Sequence, residues 1–298
     1  MRILVSGSSG LVGRALVARL RATGHDVVAL VRHDSGPGRG VLWDPDSGRF
    51  DHPGCEGADA VVHLAGENIA AGRWTAARKE RLRSSRVAGT LLLANGLARL
   101  ARPPKVFVGA SAIGIYGDRL DETLTEQSEP GRGFLAELSA EWEAASATLD
   151  GLGVRRVLFR IGVVLAREGG ALGKLVLPFR CFAGGRTGSG RQWMSWITLD
   201  DLVAVIERAL VDDALRGVCN AVSPTPCRNA EFAHTIGRVL RRPVWLPAPA
   251  FALRLALGEM ADALLLTSQR VVPERLEQAG FRFADRELEP ALRRLLRA

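Results

Sequence analysis

Apolar residues fall into two alternating kinds of run along the first 165 positions. Short unbroken runs such as Ile3-Leu4-Val5, Val27-Val28-Ala29-Leu30-Val31 and Val106-Phe107-Val108 suit strands buried on both faces. Between them, stretches such as Ala15-Leu16-Val17-Ala18-Arg19-Leu20 carry apolar residues at helical spacing. The spacing predicts strands over 2–6, 26–32, 60–66, 106–111 and 154–162. It predicts helices over 15–22, 75–100 and 134–150, the first closed by Gly24 and the second followed by Pro103-Pro104. This alternation predicts an α/β fold, a Rossmann doubly wound parallel sheet.

The rhythm changes near residue 165. Gly169-Gly170, Gly173 and the 183–190 stretch are glycine-rich and read as loop. Ser195-Trp196-Ile197-Thr198 then reads as a strand entering a helix capped by Thr198 or Asp200 and running to Val211. Asp200 and Asp201 both read as caps. The expected division is a Rossmann domain over 1–165, to which 196–220 returns, and a smaller C-terminal α/β lobe from 166–195 and 221–298. That lobe covers the carboxyl edge of the sheet, where open parallel sheets bind ligands.

Composition narrows the class. No run approaches the roughly 18 apolar residues of a membrane helix. Met1 leads straight into a strand and a glycine loop, with no small-residue cleavage site, which predicts a cytoplasmic protein. Cys55, Cys181, Cys219 and Cys227 lack C-x-x-C spacing, so buried free thiols are expected, with no metal site. The net charge of +8 comes from arginines scattered over helix faces, with Lys79, Lys105 and Lys174 the only lysines. Such scatter predicts solvated faces and no nucleic-acid partner.

The sharpest motif is Gly7-Ser8-Ser9-Gly10-Leu11-Val12-Gly13, between the first strand and first helix. The first glycine permits the tight turn, the second lets a pyrophosphate reach the backbone, and the third lets helix and sheet pack closely. Amides at the helix start then face the phosphates. Ser9, Leu11 and Val12 share that loop. At the end of the second strand, where an acid would hold the ribose hydroxyls of NAD, stand Arg32 and His33. A guanidinium suits a 2′-phosphate, so the expected cofactor is NADP(H); the competing assignment gives the acidic task to Asp34. Leu64, Ala65 and Gly66 close the next strand beside the adenosine, and His63 is expected to be partly buried and hydrogen-bonded.

These residues, with Ser85-Arg86-Val87, Ser111-Ala112-Ile113-Gly114-Ile115-Tyr116-Gly117, Trp142-Glu143, Arg160-Ile161-Gly162-Val163-Val164-Leu165 and Trp196-Ile197-Thr198-Leu199-Asp200-Asp201-Leu202, carry a resemblance. The chain resembles the extended short-chain dehydrogenase/reductase superfamily, in its atypical SDR39U1-like epimerase branch. The segment from Pro247 to Glu259 and Gln269-Arg270-Val271-Val272-Pro273 are similar to that branch in particular. The resemblance implies an NADP-binding Rossmann domain with cofactor contacts from the glycine loop, Val31, Arg32, Leu64, Ala65, Arg86 and Val163, and from Arg81 as a helical neighbour.

The superfamily's chemistry uses Tyr-x-x-x-Lys with a nearby Ser or Thr, because an unperturbed tyrosine is a poor base until a cation favours its anion. Here the expected position reads Phe134-Leu135-Ala136-Glu137-Leu138, and Leu120, not lysine, stands four residues after Tyr116, so the dyad is absent. Ser111, at its strand end, and Tyr116 are the remaining catalytic candidates, with packing the competing role for Tyr116. Glu137, Glu141 and Glu143 are expected to be exposed, while Gln192, Trp193 and Trp196 are cleft or core residues and Arg160 precedes the lobe. Two functions follow. One is an NADP(H)-dependent oxidoreductase or nucleotide-sugar-epimerase-like enzyme, acting on a small molecule with altered acid–base groups. The other is a non-catalytic NADP(H)-binding sensor or interaction protein.

Overall fold

The computed structural model describes residues 1–33 and 40–296. From the N-terminus, β1 (Arg2–Ser6), α1 (Leu11–Ala22) and β2 (Asp26–Val31) form the first crossover. Then come β3 (Val41–Asp44), β4 (Arg49–Phe50), the single turn α2 (His52–Cys55), β5 (Ala60–His63) and the long α3 (Ala76–Leu97). β6 (Val106–Ala112) leads into a tight 3₁₀ turn, Ile113–Tyr116, and β7 (Thr123–Leu124). α4 (Phe134–Ala144), β8 (Arg155–Ile161), β9 (Val163–Leu165) and α5 (Gly170–Arg180) follow.

The last third holds β10 (Trp193–Met194), β11 (Trp196–Thr198), α6 (Leu199–Val211), β12 (Gly217–Ala221), β13 (Cys227–Arg228) and α7 (Asn229–Leu240). It ends with α8 (Ala250–Leu257), α9 (Glu259–Ala261), β14 (Arg270–Val271), α10 (Glu274–Gln278) and α11 (Leu288–Leu296).

The main sheet runs β12-β8-β6-β5-β1-β2-β3-β4, parallel except for the β3–β4 pair at one edge. This is the doubly wound arrangement that the alternating pattern predicts. One face packs on α1 and α6 through Val5, Leu16, Leu20, Leu202 and Ile206; the other packs on α3 through Leu4, Trp43, Leu93 and Leu97. A separate cluster joins α5, α7 and α11 through Val176, Phe179, Phe232, Ile236 and Leu292. No helix among the described residues is long and apolar enough to cross a membrane.

The structure departs from the sequence expectations at several points. Glycine-rich 169–173 opens α5, because Leu172, Val176 and Phe179 bury one helical face. The fourth helix stops at Ala144 and passes into a 3₁₀ turn, Ala147–Leu152, instead of running to 150. Thr198 caps α6, whereas Asp201 is buried and accepts from the Ala284 and Asp285 amides at 2.8 and 3.0 Å. Asp200 pairs with Arg294 at 2.6 Å. Both aspartates therefore tether the C-terminal segment. Cys181 is exposed, while the other three thiols are buried.

Candidate functional site

The glycine loop lies at the carboxyl edge of the sheet, between β1 and α1. Gly7 has φ +69°, and a Cβ there would stand 2.8 Å from the Ala65 amide. A Cβ on Gly13 would lie 2.1 Å from the Gly7 carbonyl oxygen, so only hydrogen lets α1 start this close to the loop. Gly10 differs: its added Cβ meets only the Gly7 carbonyl within 4 Å, at 3.2 Å, and would project into open space. No side chain caps α1 at Gly10 and no acid stands in its first turn. The loop is thus a concave backbone surface with a helix N-terminus behind it, and it fits a pyrophosphate. Leu11 and Val12 are half-buried in that first turn, Ser9 is exposed, and Arg14 Nη1 braces the Ser9 carbonyl at 2.8 Å.

The neighbouring strand end is fixed from below. Ser6 Oγ accepts from the Leu64 and Ala65 amides, both at 3.2 Å, so its hydrogen goes to His63 Nδ1 at 2.7 Å. His63 Nε2 then donates to Thr90 Oγ1 at 3.0 Å, which also accepts from Trp142 Nε1. Burial pushes the His63 pKa down to about 4 and keeps the ring neutral. His63 is a supporting residue of the β5 turn, more fully buried than the sequence suggested.

Val31 is half-buried at the end of β2, with Arg32 exposed after it and 4.0 Å from Asp46. Asp34 lies outside the described residues. Beyond β5, Gly66 sits over Arg86: a Cβ on Gly66 would stand 3.4 Å from the guanidinium carbon. Arg86 donates to the Glu67 carbonyl at 3.0 Å and lies over Trp142, 5.1 Å from the ring centre. Burial lowers its pKa to about 10, against the pull of Glu67 and with the repulsion of Arg78. Arg81 stands exposed on α3. Val163 is half-buried at the far side of the edge, paired with Trp196. The glycine loop, the β2 end and the β5 turn thus lie side by side at the carboxyl ends of the adjacent parallel strands β2, β1 and β5, while Val163 belongs to the separate β9–β11 pair.

The expected catalytic candidates lie in a different setting. Ser111, Arg160 and Asn220 are register partners on β6, β8 and β12, so their side chains share one face. Glu143 reaches them from α4. It accepts from Ser111 Oγ at 2.6 Å and takes a two-pronged bond from Arg160 Nε and Nη2 at 2.8 and 2.9 Å. Arg160 Nη1 donates to the Tyr116 hydroxyl at 3.0 Å, and that hydroxyl lies 2.7 Å from Asn220 Oδ1 and 2.9 Å from the Thr125 carbonyl. Tyr116 is fully buried. Burial raises its pKa, and the opposing influence of Arg160 does not cancel that. For Arg160, burial works against the charge, yet the bonds and charge of Glu143 outweigh it and the pKa rises. This geometry favours the packing role for Tyr116 and leaves the Ser111 proton committed to a carboxylate.

Glu143 is the correction here. Its side chain is only 12% exposed, because a buried guanidinium needs a carboxylate beside it. Glu141 is half-buried and pairs with Arg83 at 2.7 Å. Trp196 is core, Gln192 is buried with Nε2 on the Thr187 and Leu265 carbonyls, and Trp193 is half-buried and donates to Asp121 at 2.9 Å.

A cleft of about 310 Å³ opens between the start of α4 and the α8–α9 segment, lined by Gly114, Arg132, Phe134, Arg254, Glu259 and Gln269. Phe134 occupies its wall, edge-on to Trp74 at 5.2 Å. Lys79 on α3 stands 5.0 Å from the Phe134 ring centre and 2.5 Å from Glu259. The sequence pattern does not mark this group; its one signal is a lysine near the start of α3.

The NAD dependent epimerase/dehydratase family model matches residues 3–220. The chain belongs to that family. A second model, described as a domain of unknown function, matches residues 248–295, the segment that carries α8 and α9. Among family members, an epimerase family protein of Mycobacterium leprae is 41% identical, the match covering 97% of this chain and 94% of that protein. The crystal structure of human epimerase family protein SDR39U1 (isoform 2) with NADPH superposes with a TM-score of 0.90 at 37% identity, over 99% of both chains. A nucleoside-diphosphate sugar epimerase from Corynebacterium glutamicum gives 0.82 at 38% identity, over 98% of this chain and 57% of the other. The epimerase-family resemblance and the Rossmann fold expected from sequence both hold.

Proposed function

We propose that this family member binds NADP(H) across the sheet edge and works as an oxidoreductase or epimerase-like enzyme on a small molecule in the neighbouring cleft. The observation that carries the reading is the open backbone cradle at Gly10, uncapped and without an acid, with Arg32 at the β2 end. The NADPH in the human relative's structure supports it. In this reading the amides at the start of α1 hold the pyrophosphate and Arg32 takes the 2′-phosphate. Val31, Leu64, Ala65 and Gly66 border the adenosine half, while Arg86 and Val163 border the rest of the dinucleotide. A bound reduced nicotinamide supplies hydride. The chain's own residues hold the dinucleotide, wall off the cleft with Phe134 and Trp74, and provide the proton.

Titration with NADPH and NADH tests this. Each charge-assisted bond to the 2′-phosphate is worth about 1.5–3 kcal/mol, so Arg32→Glu lowers NADPH affinity roughly ten- to a hundredfold and moves NADH far less. Equal wild-type affinity for the two removes the NADP assignment, and no affinity for either removes the cofactor.

A second reading, a sensor that binds NADP(H) without turnover, draws on one observation: the Ser111 and Tyr116 hydroxyls are both committed to neighbours. NADPH oxidation over a panel of carbonyl compounds and nucleotide sugars separates the two. Turnover of any of them excludes the sensor.

A further inference from the structure

The position at which the superfamily's tyrosine would stand holds Phe134, which has no proton to give. An amine stands behind two residues of the cleft that Phe134 lines. Lys79 closes the first turn of α3 and brings its ammonium 5.0 Å from the Phe134 ring centre. The same ammonium pairs at 2.5 Å with Glu259, itself a lining residue of the cleft. A second tie holds the two sides together, since Arg73 Nη2 donates to the Leu255 carbonyl at 3.1 Å. Trp74 packs edge-on against Phe134. Lys79 is thus fixed in three ways: a carboxylate against its charge, an aromatic face below it and a clamped wall beside it. The Lys79 side chain is 31% exposed beside that wall.

We propose, resting on the oxidoreductase reading above, that Lys79 held by Glu259 is the proton donor of the cleft and acts on the oxygen of a substrate carbonyl. The bond that breaks is an ammonium N–H. The bond that forms is O–H, on an oxygen made anionic as its carbon accepts hydride, the reductant being a reduced nicotinamide. The amine is left neutral and regains a proton from water. Glu259 holds the ammonium in place through the 2.5 Å pair. A lysine serving only as an inter-segment tie would be indifferent to the redox state of any bound nucleotide. A proton donor facing the reacting carbon would not.

That difference gives the test. Lys79, Lys105 and Lys174 are labelled competitively with trace acetic anhydride across pH, in full-length protein saturated with NADP+ or with NADPH, and quantified by mass spectrometry. The oxidised ring carries a positive charge that the reduced ring lacks, while the phosphates are the same. Repulsion from that ring disfavours the ammonium, so Lys79 labels faster at neutral pH with NADP+ than with NADPH, by roughly tenfold. Lys105 and Lys174 do not change. The variant Lys79→Met, which keeps most of the stem, retains the rise in melting temperature given by NADPH. Identical Lys79 labelling in the two redox states, with both nucleotides raising the melting temperature, overturns the assignment and leaves the cofactor reading intact. So does loss of the NADPH effect in Lys79→Met, which would make the lysine part of the binding frame. If neither nucleotide stabilises the wild type, the cofactor reading itself fails.

Discussion

The two halves of the sheet edge are built on opposite principles. At the β1–α1 corner the surface is backbone: three glycines remove side chains, the helix start is uncapped, and donors face open space. At the β6–β8–β12 end the surface is side chain, with Ser111, Arg160, Asn220, Glu143 and Tyr116 satisfying one another inside the fold. The first region keeps its polar groups available and pays no desolvation for them until a ligand arrives. The second spends its polar groups on each other. The polar side chains at these strand ends are therefore already engaged, whereas the start of α1 has no side-chain cap on its amides.

Breaking each region should give opposite signatures. Glu143→Ala strands a buried guanidinium and frees the Ser111 hydroxyl. It should cost about 3–5 kcal/mol of stability, seen as a lower urea midpoint, with NADPH affinity changed little. If stability barely moves, the network is not the buried unit described. Gly13→Ala should act the other way round in emphasis. Its methyl meets the Gly7 carbonyl at 2.1 Å, and backbone must move. The strain should cost about 2 kcal/mol of stability, and the displaced amides should lower NADPH affinity about a hundredfold by calorimetry. Unchanged affinity would show that the pyrophosphate is held elsewhere.

The same contrast explains what could be read from the chain before folding. The glycine loop is largely local: Gly10 and Gly13 answer constraints set by Gly7 and Ser8, a few positions away, so their spacing between a strand and a helix discloses the candidate site. The Ser111–Arg160–Asn220 row is not local. It exists only because β6, β8 and β12 pair in one register, and Glu143 looks like any helix carboxylate until that register is known. Lys79 and Glu259 meet through packing of segments distant in sequence, and no periodicity marks such a meeting. α5 was hidden for a different reason: its glycines outweigh, to the eye, the buried stripe of Leu172, Val176 and Phe179. β3 carries no clear sequence signal because Trp43 owes its burial to tertiary contacts with α3.

The satisfied region has one loose end, and it sets the smallest effect. Glu126, beside Asn220, accepts from the Asn220 amide at 2.9 Å and the Arg275 amide at 3.3 Å through Oε1. Its Oε2 is buried with no partner. Burial raises the carboxyl pKa in spite of those amides, so the folded protein holds this proton more tightly than the unfolded chain does. Stability from this group is then full below the unfolded glutamate pKa and declines as pH rises through the folded value. Glu126→Gln keeps an acceptor for both amides and removes the charge. It should match the wild type in mild acid and exceed it at neutral pH by about 1 kcal/mol, the lower end of the cost of an unpaired buried polar group. Chemical denaturation at several pH values measures the gap. A gap that is constant with pH would mean that Glu126 does not titrate differently on folding; a variant less stable at neutral pH would mean that Oε2 has a partner, and that the β12 end of the sheet is as fully satisfied as its neighbours.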